Sequence, residues 1–404
     1  MRYASITKRL NGLIGTGWAV HRAGRRMKAA GQDLIELSIG EPDVSPDIQL
    51  LDEAARAMYA GRTRYASGRG EAVLLNALAE KYGRRRPDVT DRNFLCFPGT
   101  QSALFAVMTS LVENGDGVLV GDPLYATYDA VIASTGAHPV YVPLHESKHF
   151  HLQASDLRRA ITPETRVLLL NSPHNPTGAV LTRDEIAAIG QVCIEHDLWI
   201  VCDEVYEQLV FGDLAFSSPF DFAEFADRTI VVSSISKSHA ATGFRSGWVA
   251  APTEFCNTIL PLSEAMLFGG QPFISDMTAM ALSGHFDTAD IMRQNYERRA
   301  ALVARALEMH RKIRALSPEA GMFILLDVSA TGLDGESFAW ALLREAQVSV
   351  MPGSSFGAQA RNLIRLSLTA PDNVLATAVR RIGDFAAGIG SHVSPRRSEA
   401  GMSG

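Results

Sequence analysis

The chain has 404 residues, of which 47% are hydrophobic and 20% charged, and its formal net charge is -6. That length exceeds what one core usually organises, and the apolar fraction is ample for a packed interior. The mild charge gives no basic footprint for nucleic acid, and no stretch approaches the roughly 18 apolar residues that a membrane helix needs.

The first twenty residues, MRYASITKRLNGLIGTGWAV, hold no apolar run long enough for a secretory signal. Cys96, Cys193, Cys202 and Cys256 form no C-x-x-C pair. Cys96, Cys193 and Cys202 sit in apolar surroundings, which suits buried thiols in a reducing compartment, so a cytoplasmic protein without a metal site is expected. From about residue 50 to 285, short apolar runs alternate with segments of helical periodicity such as SALFAVMTSLVENG and TRDEIAAIGQVCIEHD. Strands are expected at Phe94–Phe97, Val118–Val120, Pro139–Val142, Val167–Leu170, Trp199–Cys202, Ile230–Val232 and Trp248–Ala251. Alternation of this kind predicts an α/β domain whose mostly parallel seven-stranded sheet is flanked by helices. The ligand then belongs at the carboxyl ends of the strands.

From about Phe286 the texture changes. A long helix over Asp287–His310 is followed by MFILLDV, SFAWALLREA, VSVMPG, LIRLSL and a closing helix. This predicts a smaller α+β domain of residues 286–390, joined by 1–45, beside a large domain of 46–285. A Ser-, Gly-, Pro- and Arg-rich tail over 391–404 is expected to be disordered.

Four segments that follow strands carry the chemistry. In FPGTQSALFAV a strand, a glycine and a helix start succeed one another, so the N–H groups of Gly99, Thr100 and Gln101 point at an anion. Such turns are frequent, and the signal alone is weak. Downstream, Tyr125 in DPLYATY can stack on a planar ring or fill a core. In NSPHNPTG two prolines and the amides fix an irregular backbone, and Asn175 can donate to a phenolic oxygen; a plain turn explains the prolines equally well. In CDEVY the near-buried carboxylate of Asp203 needs a cationic partner, such as a protonated pyridine nitrogen, with Tyr206 within reach of the same ring; by itself a helix cap is the commoner use. In SSISKSHAATGFRSGW, Lys237 stands among hydroxyls with Arg245 eight positions on. An amine for an aldehyde, with Ser234, Ser236 and a guanidinium for a phosphate, suits pyridoxal 5′-phosphate, although most lysines in polar loops are merely solvated. Together the four segments supply each group that this cofactor requires.

On these motifs the sequence resembles the class I aminotransferases, fold type I of the pyridoxal-phosphate enzymes, from about Ile35 to Ala386. The resemblance implies that Lys237 carries the cofactor as a Schiff base, Asp203 pairs with the pyridine nitrogen, and Asn175 and Tyr206 bond the phenolic oxygen. It implies Tyr125 on the ring face and Thr100, Gln101, Ser234, Ser236 and Arg245 at the phosphate. Tyr65, in TRYASGRG, is implied to cross a homodimer interface to the neighbour's phosphate. LSIGEPD and NLIRLSL resemble the substrate-carboxylate site, with the N–H of Gly40 and the guanidinium of Arg365 as donors; an internal ion pair is the alternative for an Arg in an apolar run.

The implied activity is ping-pong transfer of an amino group from an L-amino acid to a 2-oxo acid, with Lys237 moving the proton. The stretch Leu260–Gly270 holds no Arg for a second carboxylate, and Glu264 is the one acidic residue there that could meet a cationic tip, although a solvated helix glutamate is the commoner reading. Within the family, NSPHNPTGA, HDLWIVCDEVYEQLVF and SISKSHAATGFRSGW read most like arginine–pyruvate transaminases, which makes arginine the first donor and pyruvate the first acceptor. Aspartate or aromatic transaminases and C–S β-lyases share the same cofactor residues. A ligand-sensing domain without catalysis would carry an added DNA-binding module, and the forty or so residues before the first motif are too few for one.

Overall fold

Seven apolar segments pair side by side in the order Phe94–Phe97, Gly247–Ala250, Thr229–Ser234, Trp199–Asp203, Thr165–Asn171, Gly117–Asp122, His138–Pro143. The computed structural model describes residues 1–13 and 17–389, so the tail expected over 391–404 lies outside the described residues. Each expected strand is present, several of them longer by a polar residue at an end, as with Asp122, Asn171, Asp203 and Ser234. Six strands run the same way. Gly247–Ala250 runs antiparallel to both of its neighbours. The link before it, 235–246, contains only the short 3-10 turn Thr242–Phe244 and no crossover helix, so the chain turns straight back.

Both faces of the sheet are covered. Alternate residues of adjacent strands build the two layers: Leu169, Val201 and Val232 pack with Leu104 and Val107 on one face, and Leu168, Ile200 and Val231 pack with Leu78 and Ile189 on the other. Burial on both sides explains why these strands read as unbroken apolar runs. All four cysteines are free and buried. Among the described residues, no helix is long and apolar enough to cross a membrane.

After residue 286 a second sheet forms, entirely antiparallel, in the order Met351–Pro352, Leu363–Ser367, Phe323–Asp327, Arg314–Leu316. The helices Thr288–Leu307, Gly335–Glu345 and Asp372–Gly388 cover it. Its core unites Tyr296, Phe338, Leu342 and Ile382 with Val20 and Leu37 from the N-terminal segment. Ile35–Glu36 adds a short parallel pairing with Val348–Ser349.

One polar clamp fixes the loop 171–180 against this second unit. His151 meets Glu185 at 2.9 Å through Nδ1 and Glu319 at 3.0 Å through Nε2. The Glu319 hydrogen bond, helped by Glu185, raises the imidazole to about 9. Glu319 also accepts the Val180 N–H at 2.8 Å and donates its own N–H to the Gly178 carbonyl at 3.2 Å. The loop that carries Asn175 is therefore tied to Glu319 and, through it, to His151.

Candidate active site

The carboxyl ends of the parallel strands surround a cavity of about 200 Å³. At its first edge, strand Phe94–Phe97 leads through Gly99 into helix Thr100–Leu111. Gly99 has φ +83°, and a Cβ there would come within 2.3 Å of Arg245 Nη2. The missing side chain is what lets the guanidinium lie across the helix N-terminus. Arg245 itself adopts φ 53° and donates to the Thr242 carbonyl at 2.8 Å. Thr100 Oγ1 is buried beside it without a hydrogen-bond partner. Ser234 and Ser236 line the same end. A guanidinium, hydroxyls and the N-terminus of a helix at one end of the cavity could hold a phosphate.

Asp203, 5% exposed, closes strand Trp199–Asp203 and faces the cavity. One oxygen accepts the Tyr128 hydroxyl at 3.0 Å and the other the Val205 N–H at 3.2 Å. Burial pushes this carboxyl up to about 6, partly opposed by those two bonds, and among the described residues no cation pairs with it. Its neighbour Glu204 points to the other side of the sheet, bonded to Ser218, and burial pushes it to about 8. Of the two adjacent acids, only Asp203 lines the cavity. The Tyr206 hydroxyl receives the Asn175 amide at 3.4 Å, and burial holds that phenol well above its ordinary range, so it stays a donor. Tyr125 lies edge-on to Tyr128 with ring centroids 5.5 Å apart.

Lys237 points inward and donates to the Gly40 carbonyl at 2.7 Å. Burial lowers its amine to about 8, with Glu41 opposing the fall. A neutral amine is thereby accessible near physiological pH. Gly40 was expected to present its N–H; here its carbonyl meets the amine, and a Cβ on it would strike the Phe323 ring at 2.1 Å.

Arg365 is 3% exposed in the middle of strand Leu363–Ser367. Its guanidinium lies between the rings of Phe323, 3.8 Å from Cζ, and Phe356, 4.5 Å away. It donates to Asn175 Oδ1 at 2.9 Å and the Ser38 carbonyl at 3.0 Å, and its Nε has no partner. Among the described residues no carboxylate pairs with it, which removes the internal ion pair as its explanation. Burial lowers it to about 10, leaving it cationic at neutral pH. An unpaired buried cation of this kind is costly unless an anionic ligand arrives.

Thr100, Gln101, Tyr125, Asn175, Asp203, Tyr206, Ser234, Ser236, Lys237 and Arg245 thus meet around one cavity. Gly99, Gly40 and Arg365 adjoin it through the contacts above. Two expected residues lie elsewhere in the chain. Tyr65 is 87% exposed, with its ring 4.9 Å from that of Phe268. Glu264, on the exposed side of helix Thr253–Leu267, abuts Gly68 and not the cavity, so within one chain it meets no substrate tip. Sequence reasoning overlooked Tyr128, Phe323 and Phe356. For Tyr128 a signal existed, three positions after Tyr125 at the start of a helix. A guanidinium with hydroxyls at a helix start, a buried carboxylate, an amide beside a phenol and an amine line one cavity, a set that could hold pyridoxal phosphate.

Comparison with known proteins agrees with that geometry. The profile of the family described as aminotransferase class I and II matches residues 32–382. The chain is 39% identical over 388 residues to an arginine–pyruvate transaminase of Pseudomonas aeruginosa, covering 96% of this chain and 98% of that one. It is 32% identical to an aspartate aminotransferase of Geobacillus stearothermophilus, over 91% of this chain and 95% of the relative. The aspartate aminotransferase of Thermus thermophilus solved with maleate superposes with a TM-score of 0.89 at 30% identity, over 95% of this chain and 100% of that structure.

Proposed function

Since the chain belongs to the class I and II aminotransferases, we propose that its amino donor is a monocarboxylic amino acid, arginine first, and its acceptor pyruvate. The protein is a pyridoxal-phosphate-dependent transaminase that passes an amino group from an amino acid to a 2-oxo acid. When bound, the cofactor supplies the aldehyde that captures the amino group and the electron-withdrawing ring that acidifies the substrate Cα–H.

The chain's own residues do the rest. Gly99, Thr100, Gln101, Ser234, Ser236 and Arg245 hold the phosphate. Asp203 would keep the ring nitrogen protonated, Asn175 and Tyr206 would hold the phenolic oxygen, and Tyr125 would lie against the ring. Arg365, with Asn175 and the Gly40 segment beside it, grips the substrate carboxylate and so orients the Cα–H bond. Lys237 takes the proton from Cα and returns it at the cofactor's C4′.

The observation that carries the carboxylate assignment is Arg365, a buried guanidinium with two neutral acceptors and no carboxylate among the described residues. Among the described residues Arg245 is the one arginine that lines the cavity and Arg365 adjoins it, which supports a donor with one carboxylate. The relative named as an arginine–pyruvate transaminase supports arginine. The half-reaction tests the donor: the rate constant per concentration for arginine is expected to exceed that for aspartate. A preference for aspartate or glutamate beyond about tenfold, roughly 1.4 kcal/mol of transition-state preference, overturns the donor assignment and leaves the transaminase standing.

We read the working unit as a cytoplasmic homodimer, with 46–285 as the large domain and 1–45 with 286–390 as the small one. The exposed Tyr65 and Phe268 pair supports a surface where a second copy sits, bringing Tyr65 to the neighbour's phosphate. Mixing inactive Tyr65→Phe and Lys237→Ala chains should then restore one good site per heterodimer. No recovery after confirmed subunit exchange would show that each site is built within a single chain.

A further inference from the structure

Asp122 ends strand Gly117–Asp122 and is 7% exposed. It has no place in the cofactor set, yet its two oxygens reach across to the second unit. Oδ2 accepts the Ala358 N–H at 3.2 Å, and Oδ1 accepts that of Gln359 at 3.1 Å. The turn that presents those amides begins at Gly357, with φ +129°, where a Cβ would fall 2.0 Å from Asp122 Oδ1. Two residues along, the Leu124 N–H donates to the Phe356 carbonyl at 2.7 Å. The carboxylate therefore staples two short segments that both end on the active site. One continues into Tyr125, which lines the cavity. The other presents Phe356, whose ring covers one face of the Arg365 guanidinium at 4.5 Å.

A buried carboxylate must offset its own desolvation, and two backbone N–H groups do this only if the 357–359 turn keeps its place. Burial raises the Asp122 carboxyl while those two bonds hold it down. The bonding is reciprocal: the turn stabilises the charge, and the charge fixes the turn. Removing the carboxylate frees the turn, and with it the Phe356 ring that packs on the Arg365 guanidinium.

We propose that Asp122 is a positioning residue for substrate binding: through the 356–359 turn it sets Phe356 against Arg365 and couples the carboxylate grip to the Tyr125 segment. It rests on the assignment of Arg365 to the substrate carboxylate.

The test uses the holoenzyme and its amino-donor half-reaction, read as an apparent donor Kd and a limiting rate, with arginine as the probe. Asp122→Ala should raise the Kd about tenfold while the limiting rate stays within about threefold and the cofactor's absorption is unchanged, the signature of lost ground-state positioning. Asp122→Asn, which keeps one acceptor oxygen, should lie between Asp122→Ala and the parent. An unchanged Kd in Asp122→Ala overturns the proposal, and so does a fall in limiting rate together with a shifted spectrum, which would mark general damage to the site. If Asp122→Ala does not fold, Phe356→Leu decides, since it keeps apolar bulk and removes the ring: the same rise in Kd supports the coupling, and an unchanged Kd ends it. Arg365→Lys, run alongside, separates the two levels. A raised Kd there with none in Asp122→Ala refutes the positioning role alone, whereas an unchanged Kd in Arg365→Lys refutes the carboxylate site and the proposal with it.

Discussion

Replacing Lys237 by alanine is expected to slow the half-reaction by about 10⁴-fold or more, the upper range for a positioned proton-transfer group. Lys237 is the only lysine among the residues lining the cavity, so no neighbour can take over its amine. Its lowered basicity, about 8, has a clear origin in burial. Below that value the protonated form dominates and cannot take a proton from Cα, and the neutral fraction grows as pH rises through it. The fold should survive the change, because the amine's one hydrogen bond is to the Gly40 carbonyl at the cavity rim. Rapid-mixing measurement on cofactor-loaded variant checks the rate. In the parent, borohydride reduction and peptide mapping should find the cofactor on the peptide that contains Lys237. A variant rate within tenfold of the parent, or a label on another peptide, would remove Lys237 from the chemistry.

Asp203→Asn should retain cofactor and lose turnover by about 10³-fold, which corresponds to roughly 4 kcal/mol of transition-state stabilisation. The amide keeps the size of the side chain and one acceptor for the Tyr128 hydroxyl, so packing is preserved. What it lacks is charge. With no cation beside it, burial raises the carboxyl to about 6; a protonated ring nitrogen at its side would lower that value, so the charged partner is present at neutral pH and its loss needs stronger acid. The variant behaves at all pH values like the acidified parent. Near-parental half-reaction rates in Asp203→Asn would reduce Asp203 to a backbone cap for Val205.

The cofactor cavity was legible because most of its groups sit at the end of a strand or within four residues after it, and the apolar runs of those strands are hard to mistake. Asp203 ends a strand, Lys237 follows Ser234 by three, and Asn175 follows Asn171 by four. In a parallel sheet those ends all face one edge, so finding the strands nearly locates the site. The orientation of Gly247–Ala250 was less legible, since an apolar run reads the same in both directions. Only the length and shape of its preceding link separate them. The carboxylate end was hardest. Arg365 is recognisable as an oddity in LIRLS, but its setting comes from Phe323, Phe356, Ser38 and Asn175, scattered over more than 300 positions.

From the sequence alone came the α/β sheet, the cofactor class and most of the residues that line one cavity, because each depends on local apolar periodicity and on chemistry carried within single loops. Tertiary structure alone decided which neighbour each charge has. It put Glu204 behind the sheet while Asp203 faced the cavity, left Arg365 without a carboxylate among the described residues, and set Glu264 against Gly68 instead of the cavity. It also joined Asp122 to a turn more than 230 residues away. The physical reason is range: periodicity is written between residues a few positions apart, whereas the energy of a buried charge depends on every group within a few ångströms, and those groups arrive from anywhere in the chain.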